Sequence, residues 1–293
     1  MTAKDKPARS EQAHPARRRP RWGVLALVVL PLIPDRALPA LGGINPRPVA
    51  LVAVLIVGVQ VLSHLAVRWL GARAGLAVAG ALAGWASSTA AIASLGTLSR
   101  REPPQRAALA AAAAWSTTAT WALALVMVGV LSPQAAAALA PAMLGGLLAE
   151  LLACTVLSGL AHRSAAATDA EPLARQQAVS LREALRLALM LAAVTWLVSH
   201  AQQWFGPRGL MLGIAIAGLA DAHSSVLSLT AMFTGGQLDA PMLVSGLLLA
   251  ISASSVTRLV VAIATGGWGF GMRVAAALAA GLAGAWLAWG LLR

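Results

Sequence analysis

The sequence has one cysteine, no tyrosine and only ten acidic residues among its 293 positions. The single cysteine, Cys154, lies inside an apolar run, so it offers neither a disulfide framework nor a thiolate metal cluster, and we interpret it as a small buried hydrophobe. Charged residues make up 11% of the chain, which is too few to cover a water-facing surface. These shortages exclude a soluble enzyme. Segments that alternate polar and apolar residues are also missing, which excludes a membrane β-barrel.

Apolar residues dominate what is present. They make up 59% of the chain, and the mean hydropathy is +0.76. Because a membrane-spanning helix needs about twenty apolar residues, the long runs predict an all-α polytopic membrane protein. A short segment at 22–38 is interrupted by two prolines. Eight segments are long enough to span: 48–70, 74–98, 107–131, 135–161, 184–204, 210–233, 241–265 and 272–292.

The arginines between these segments predict the topology. The net charge of +12 sits mainly in the N-terminal tail and the loops, where the positive-inside bias explains it without a nucleic-acid partner. If the tail and the loops around Arg100 and Arg175 are all cytoplasmic, an even number of spans precedes Arg100. Segment 22–38 is then a re-entrant or interfacial helix. We expect a bacterial inner-membrane protein with both termini in the cytoplasm.

The chain also contains an internal repeat. Residues 62–76 are echoed by residues 198–210, and Ala83–Ser87 is matched by Ala217–Asp221, at an offset of about 134 to 136 positions. Because each copy has four spans, an even number, both copies enter the membrane from the same side. This predicts parallel repeats related by an axis along the membrane normal. The predicted organisation is a disordered basic tail at 1–21, a short helix and loop at 22–47, repeat one at 48–161, a cytoplasmic linker at 162–183 and repeat two at 184–293.

Polar side chains inside the spans are concentrated near one depth. Counting about 1.5 Å per residue from the predicted boundaries places Ser87, Thr117, Asp221 and Ser252 within one helical turn of a common level. This layer predicts a substrate or ion site at the interface between the repeats. Hydroxyls that only lock helices together are the alternative. The candidate site residues are Ser87, Ser88, Thr89, Thr117, Thr118, Glu150, Asp221, His223, Ser224, Ser225, Ser252, Ser254, Ser255 and Arg258.

Asp221 carries the strongest functional signal. A carboxylate near the bilayer centre costs at least about 2.5 kcal/mol, so it needs a partner, a proton or an ion. A structural ion pair with Arg258 is the alternative. Glu150 is the other acid within a span, and Trp286 occupies the equivalent position in repeat two. On a regular helix, His223 is expected to face a different side from Asp221.

Two protease interpretations fail on missing residues. The Gly218–Asp221 segment loosely resembles the Gly-x-Gly-Asp element of intramembrane aspartyl proteases, but a second aspartate inside another span and the tyrosine of the neighbouring motif are absent. Ser87 lacks the Gly-x-Ser spacing of serine hydrolases. We therefore expect neither an enzyme nor a cofactor.

Four sequence blocks carry a resemblance to a known family. Residues 30–35 (LPLIPD), 41–46 (LGGINP), 84–90 (GWASSTA) and 218–221 (GLAD) resemble the membrane domain called domain of unknown function 4010, from about residue 22 to the C-terminus. The resemblance implies a domain that commonly follows an MgtC/SapB-type domain, which is missing here, and through it magnesium or acid-stress physiology. The chain departs from the family pattern at His223, where a second acidic residue is usual, and at Ser254 and Arg258, where Asn and Lys are usual.

The sequence leads to two functional hypotheses. The first is a transporter or channel for a small ion, with Asp221 and the hydroxyl layer as its site. Oxygen-rich, thiol-free linings favour a hard cation such as magnesium or sodium, or a proton, although Arg258 and the hydroxyls could equally bind an anion. The second hypothesis is a non-transporting membrane partner that binds or regulates another envelope protein. Both place the chain in the lipid bilayer, and both are compatible with a homodimer.

Overall fold

The computed structural model describes residues 33, 34, 36, 46–162 and 209–291, and within these ranges every regular element is helical. A short 3-10 helix, Pro103–Gln105, joins the first two α-helices. The α-helices of these ranges are α1 Pro46–Arg101, α2 Arg106–Leu131, α3 Pro133–His162, α4 Gly209–Ala220, α5 Ala222–Thr234, α6 Ala240–Gly266 and α7 Trp268–Leu291.

Helices of membrane-crossing length run through the described residues. By length and composition, the stretches that qualify are Gly75–Arg101 (which is interrupted at Ser87), Pro103–Leu131, Pro133–Ala161, Ala240–Gly266 and Trp268–Leu291. The protein is therefore a multi-pass helical membrane protein, as the sequence predicted. The predicted span 48–70 falls within α1. The basic tail, almost all of segment 22–38, the linker and the predicted span 184–204 lie outside the described residues.

Two predicted spans are not continuous helices. α1 leaves helical geometry at Gly75, where φ is 76°, and again at Ser87, where φ is −169° and ψ is 107°. The span predicted at 210–233 is interrupted at Asp221, where φ is −161° and ψ is 125°. Both Ser87 and Asp221 thus have extended backbone. We name the α1 segments on either side of Ser87 α1b (residues 76–86) and α1c (residues 88–101). The prediction of uninterrupted helices at 74–98 and 210–233 is wrong.

At Asp221 the chain folds back on itself. A methyl group placed on Gly246 of α6 would lie 3.0 Å from Leu229 Cδ2 and 3.3 Å from Ile214 Cδ1. Ile214 belongs to α4 and Leu229 to α5, and a continuous helix would separate these two positions by about 22 Å. Because both lie beside the same turn of α6, α4 and α5 form a helical hairpin with Asp221 at its tip.

Ser87 is the tip of a second hairpin. Gly80 and Gly84 of α1b lie directly against the backbone of Ala112 and Ser116, so α1b advances in the same direction as α2. α1c leads through the short 3-10 helix into the beginning of α2, and it therefore has to run back along α2. The reversal falls at the extended residue between the two segments.

The two hairpins enter the bundle from opposite faces. Arg100 Nη2 donates a hydrogen bond to Ala264 O at 2.9 Å, and Gly96 packs against Thr265. α1c and α6 therefore end at the same face. α5 connects through a short turn to the beginning of α6, so the α4–α5 hairpin starts and ends at the other face. The tips consequently meet inside the bundle.

The remaining helices form a scaffold around the tips. α2 is the most enclosed of the membrane-crossing helices. In its apolar stretch 61% is buried within the protein, against 22% for α3. α3 and α7 cross at Gly145 and Gly284, where an added methyl would lie 2.8 Å and 2.5 Å from the facing carbonyl oxygens. Such close approach through small residues is how helices pack within lipid. Leu152 and Leu287, 67% and 66% exposed on the outer faces of these helices, suit contact with lipid.

Candidate functional site

Each hairpin tip is also a helix N-cap. Ser87 Oγ accepts a hydrogen bond from the backbone N–H of Ala90 at 3.3 Å. Asp221 Oδ2 accepts from the backbone N–H of Ser224 at 2.8 Å and from its hydroxyl at 2.6 Å. Serine and aspartate are favoured at this position because their oxygens satisfy an N–H of the first turn, which has no acceptor within the helix. The residue at each tip therefore stabilises the helix that follows it.

Asp221 also contacts His223 across the tip. Asp221 Oδ1 lies 3.2 Å from His223 Nδ1. The sequence placed His223 on a different side from Asp221 only for a regular helix, and the extended backbone at Asp221 removes that condition. The alternative partner, Arg258, is not in contact: none of its nitrogens lies within 4.0 Å of the Asp221 carboxylate. The carboxylate is therefore held mainly by its own hairpin.

A cavity of about 260 Å³ lies where the two tips meet. It is much larger than the about 10–15 Å³ that one water molecule requires. Extended backbone at membrane depth is tolerated where it lines such a cavity, because polar groups there need not face lipid. The walls come from both hairpins, α2 and α6, and consist of Gly84, Trp85, Ala86, Ser87, Ser88, Thr89, Leu123, Leu219, Ala220, Asp221, His223, Ser254, Thr257 and Arg258.

Arg258 is the least compensated charge in the cavity wall. Its side chain is 3% exposed, and its Nε is buried without a hydrogen-bond partner. The carboxylates of Glu150 and Asp221 attract it. Within the described part of the chain, however, neither carboxylate comes within 4.0 Å of the guanidinium. A buried cation without a counter-charge in contact is unfavourable unless something else pairs with it.

Glu150 belongs to a separate polar cluster outside the cavity. Its carboxylate, on a side chain that is 1% exposed, accepts hydrogen bonds from the Thr117 hydroxyl and the Trp121 indole N–H of α2. None of these three residues lines the cavity. Counting residues placed Thr117 level with Asp221, but equal depth does not fix the direction in which a side chain points. The structure does not bring Glu150 and Thr117 together with Asp221 in this cavity.

Most of the other predicted hydroxyls bond back to their own helix. This is the packing role that the sequence left as the alternative. Ser224 instead donates its hydroxyl to the Asp221 carboxylate, which caps the helix. The back-bonded hydroxyls are Thr118 to Trp115 O at 2.8 Å, Ser225 to Asp221 O at 3.3 Å, Ser252 to Leu248 O at 2.7 Å and Ser255 to Ile251 O at 2.8 Å.

About half of the predicted site residues therefore line the cavity. Its predicted members are Ser87, Ser88, Thr89, Asp221, His223, Ser254 and Arg258.

The sequence did not assign Thr257 or Trp85 to the site. Thr257 Oγ1 donates to Leu219 O at 2.8 Å, which satisfies a carbonyl at the end of α4 and ties that hairpin to α6. Thr257 follows the serines of α6 in the sequence, so this run of polar residues could have indicated that Thr257 lines the cavity. Trp85 lies in the Gly84–Ala90 block, whose tryptophan gave no indication that it lines a cavity.

These features define a class of protein: a multi-pass helical membrane protein with a polar cavity between two interrupted helices. The sequence profile of the family described as Domain of unknown function (DUF4010) matches residues 54–266. The chain belongs to this family, which confirms the resemblance; the blocks at 84–90 and 218–221 lie within the matched residues, and the blocks at 30–35 and 41–46 precede them. The matched region contains both hairpins and every residue of the cavity wall. No curated protein and no solved structure shows significant similarity to the chain.

Proposed function

We propose that this protein is a transporter or channel for a small ion, with the cavity between the hairpin tips as its binding site. The observation that carries the proposal is the meeting of two helical hairpins, tip to tip, around a cavity with polar side chains in its wall. Interrupted helices at mid-membrane are a recurrent source of binding groups in transporters, because the broken backbone offers N–H and C=O groups to a solute that has lost water. A protein that only packs against a partner has no need of such breaks.

We further propose two repeats of inverted topology, in place of the parallel repeats expected from the span count. Matched contacts support them: Gly84 lies against the Ser116 backbone, and Gly218 lies against the Ala250 backbone. Each residue of the second contact follows its counterpart in the first by 134 positions. Because the two hairpins enter from opposite faces, the axis that relates the copies lies in the membrane plane.

The walls of the cavity contain the same matched positions. Ser87 and Asp221 are 134 positions apart, as are Thr89 and His223. The proposed axis therefore passes close to the cavity. Arg258 and Asp221 both come from the second copy, so charge is contributed from one side only.

The hairpins also change the proposed orientation. The face at which α1c and α6 end carries Arg100, Arg101 and Arg106, and the positive-inside bias assigns that face to the cytoplasm. α7 begins at this face, because a Cβ atom added at Gly269 would lie 3.9 Å from the Arg106 side chain. α7 then crosses once, so we propose that the C-terminal end lies on the outer face rather than in the cytoplasm. Location in the bacterial inner membrane, a homodimer and a link to magnesium physiology stay predictions.

Ion flux into proteoliposomes tests the proposed function. Ser254→Trp places a large side chain in the cavity, whereas Leu152→Trp places the same side chain at an exposed position of α3. Sodium, potassium, magnesium, chloride and nitrate are offered one at a time. We expect the wild type and Leu152→Trp to pass at least one of these ions, and Ser254→Trp to lose that flux. Absence of flux for every ion, or unchanged flux in Ser254→Trp, would contradict the proposal.

A further inference from the structure

Uncommitted hydrogen-bond donors line the cavity. The hydroxyls of Ser88, Thr89 and Ser254 take part in no hydrogen bond within the described residues, although each of these residues lies in the cavity wall. Most hydroxyls elsewhere in the bundle donate to a carbonyl of their own helix, as Ser116 does. Arg258 adds a guanidinium whose Nε is unpartnered. The wall therefore presents donors that a bound solute can satisfy.

Two acceptors of the same wall, the Asp221 carboxylate and the Leu219 carbonyl, are occupied. Asp221 Oδ2 accepts both the backbone N–H and the hydroxyl of Ser224, and Oδ1 faces His223 Nδ1. The carbonyl of Leu219 accepts from Thr257. Both oxygens of the Asp221 carboxylate, which the sequence assigned to a cation, thus contact residues of their own hairpin. A cation in the cavity could use the free hydroxyl oxygens as ligands, but it would face the buried Arg258 guanidinium.

Two helices begin and two helices end at the tips. α1c and α5 both begin at a tip, so the positive ends of their dipoles face the cavity. α1b and α4 also end there with the negative ends of their dipoles, so the dipoles do not decide the sign of the ligand, although Thr257 covers the Leu219 carbonyl. Arg258 supports an anion independently of the helix ends. Its side chain is 3% exposed, has no hydrogen-bond partner among the described residues, and lines the same cavity.

We propose that the cavity binds a small monovalent anion such as nitrate or chloride, held by Arg258 and by the hydroxyls of Ser88, Thr89 and Ser254. The role of this anion in flux rests on the proposed function, whereas its binding does not. A planar guanidinium fits an oxyanion through two parallel hydrogen bonds. The charge of Asp221 offsets that of Arg258 before the anion arrives, which keeps the affinity moderate, as release from a conducting site requires.

Thermal unfolding of the full-length protein in detergent measures binding without flux. Sodium nitrate and sodium chloride are titrated against sodium gluconate at constant ionic strength. We expect nitrate to raise the Tm of the wild type saturably, and to do the same for Arg101→Gln, which removes an exposed arginine at the end of α1. Arg258→Gln should bind nitrate roughly tenfold to a hundredfold more weakly, because it loses charged hydrogen bonds. Arg258→Lys, which keeps the charge without the planar fork, should retain chloride better than nitrate.

The outcomes separate this inference from the proposed function. Equal nitrate stabilisation of the wild type and Arg258→Gln, or none in the wild type, overturns the anion site. If Arg258→Gln does not fold, Ser254→Ala supplies the second variant, in which unchanged nitrate binding overturns the site and a severalfold loss supports it. Nitrate binding without flux of any ion refutes the transporter and leaves the anion site. Sodium or magnesium flux without anion binding refutes the site and leaves the transporter.

Discussion

Replacing Gly84 with alanine should loosen the first hairpin from α2. A Cβ atom at Gly84 would lie 2.0 Å from the carbonyl oxygen of Ser116, and real Cβ contacts do not fall below 3.0 Å. α1b and α2 therefore have to move apart by about 1 Å at this close-packed contact. The obstructing atom belongs to the backbone, so a rotamer change cannot relieve the clash.

Two matched glycines set the magnitude. Overpacking of this kind costs about 1–3 kcal/mol, and we expect Gly84→Ala at the upper end. At Gly218 the added Cβ would lie 2.6 Å from Ala250 O, so a smaller displacement suffices and the cost should fall near the lower end. Gly129 of α2 has no atom within 4 Å of the added Cβ. Gly129→Ala should therefore be neutral or stabilising by about 0.5–1 kcal/mol, because alanine favours the helix.

Unfolding in mixed micelles at increasing SDS fraction, followed by tryptophan fluorescence, measures this order. The free energy of unfolding should be highest for Gly129→Ala, lower for Gly218→Ala and lowest for Gly84→Ala. If Gly84→Ala were as stable as Gly129→Ala, α1b would not pack along α2 as described. The reversal of the chain at Ser87 would then lose its main support.

Two further sets of substitutions test the polar clusters, by denaturation of the purified variants. Glu150→Gln should be tolerated, because the amide can accept from Trp121 and donate to Thr117, whose hydroxyl still reaches Ala114 O. Glu150→Leu should lower the free energy of unfolding by about 1–3 kcal/mol, because it leaves the buried indole N–H unsatisfied; equal stability of the two variants would refute this role. Asp221→Asn should keep the N-cap, whereas Asp221→Ala should cost about 1 kcal/mol. A cost of the same size for both Asp221 variants would mean that the charge, and not the cap, stabilises the tip.

The sequence predicted the helices and the unusual polar residues because both depend on local chemistry. A run of about twenty apolar residues identifies a crossing helix wherever it packs, and the runs at 107–131, 135–161, 241–265 and 272–292 all correspond to single helices. Arg258 and Asp221 stood out for the same reason, since an ionisable side chain in lipid is costly whatever its neighbours are. Both line the cavity.

The hairpins could not be predicted from hydropathy. Residues 76–101 are as apolar as a true span and together have the length of one, so only the contacts with α2 show that the chain reverses. Cap-forming residues at Ser87 and Asp221 were a local signal, but serine and aspartate also occur in many positions that are not helix starts. Glu150 was assigned to the site for a different reason. A residue count gives the depth of a side chain, but it does not give the face of the bundle toward which the side chain points.

Cysteine accessibility tests the central claim most directly, namely that the hairpin tips enclose a path for solutes. The one cysteine, Cys154, is buried, so Cys154→Ala provides a background without thiols. Ser254 and Ser255 are both 6% exposed, but Ser254 lines the cavity while Ser255 bonds to Ile251 O. In proteoliposomes, a small membrane-impermeant methanethiosulfonate reagent should modify Ser254→Cys and spare Ser255→Cys. Equal modification of the two variants, or no modification of Ser254→Cys, would contradict the account.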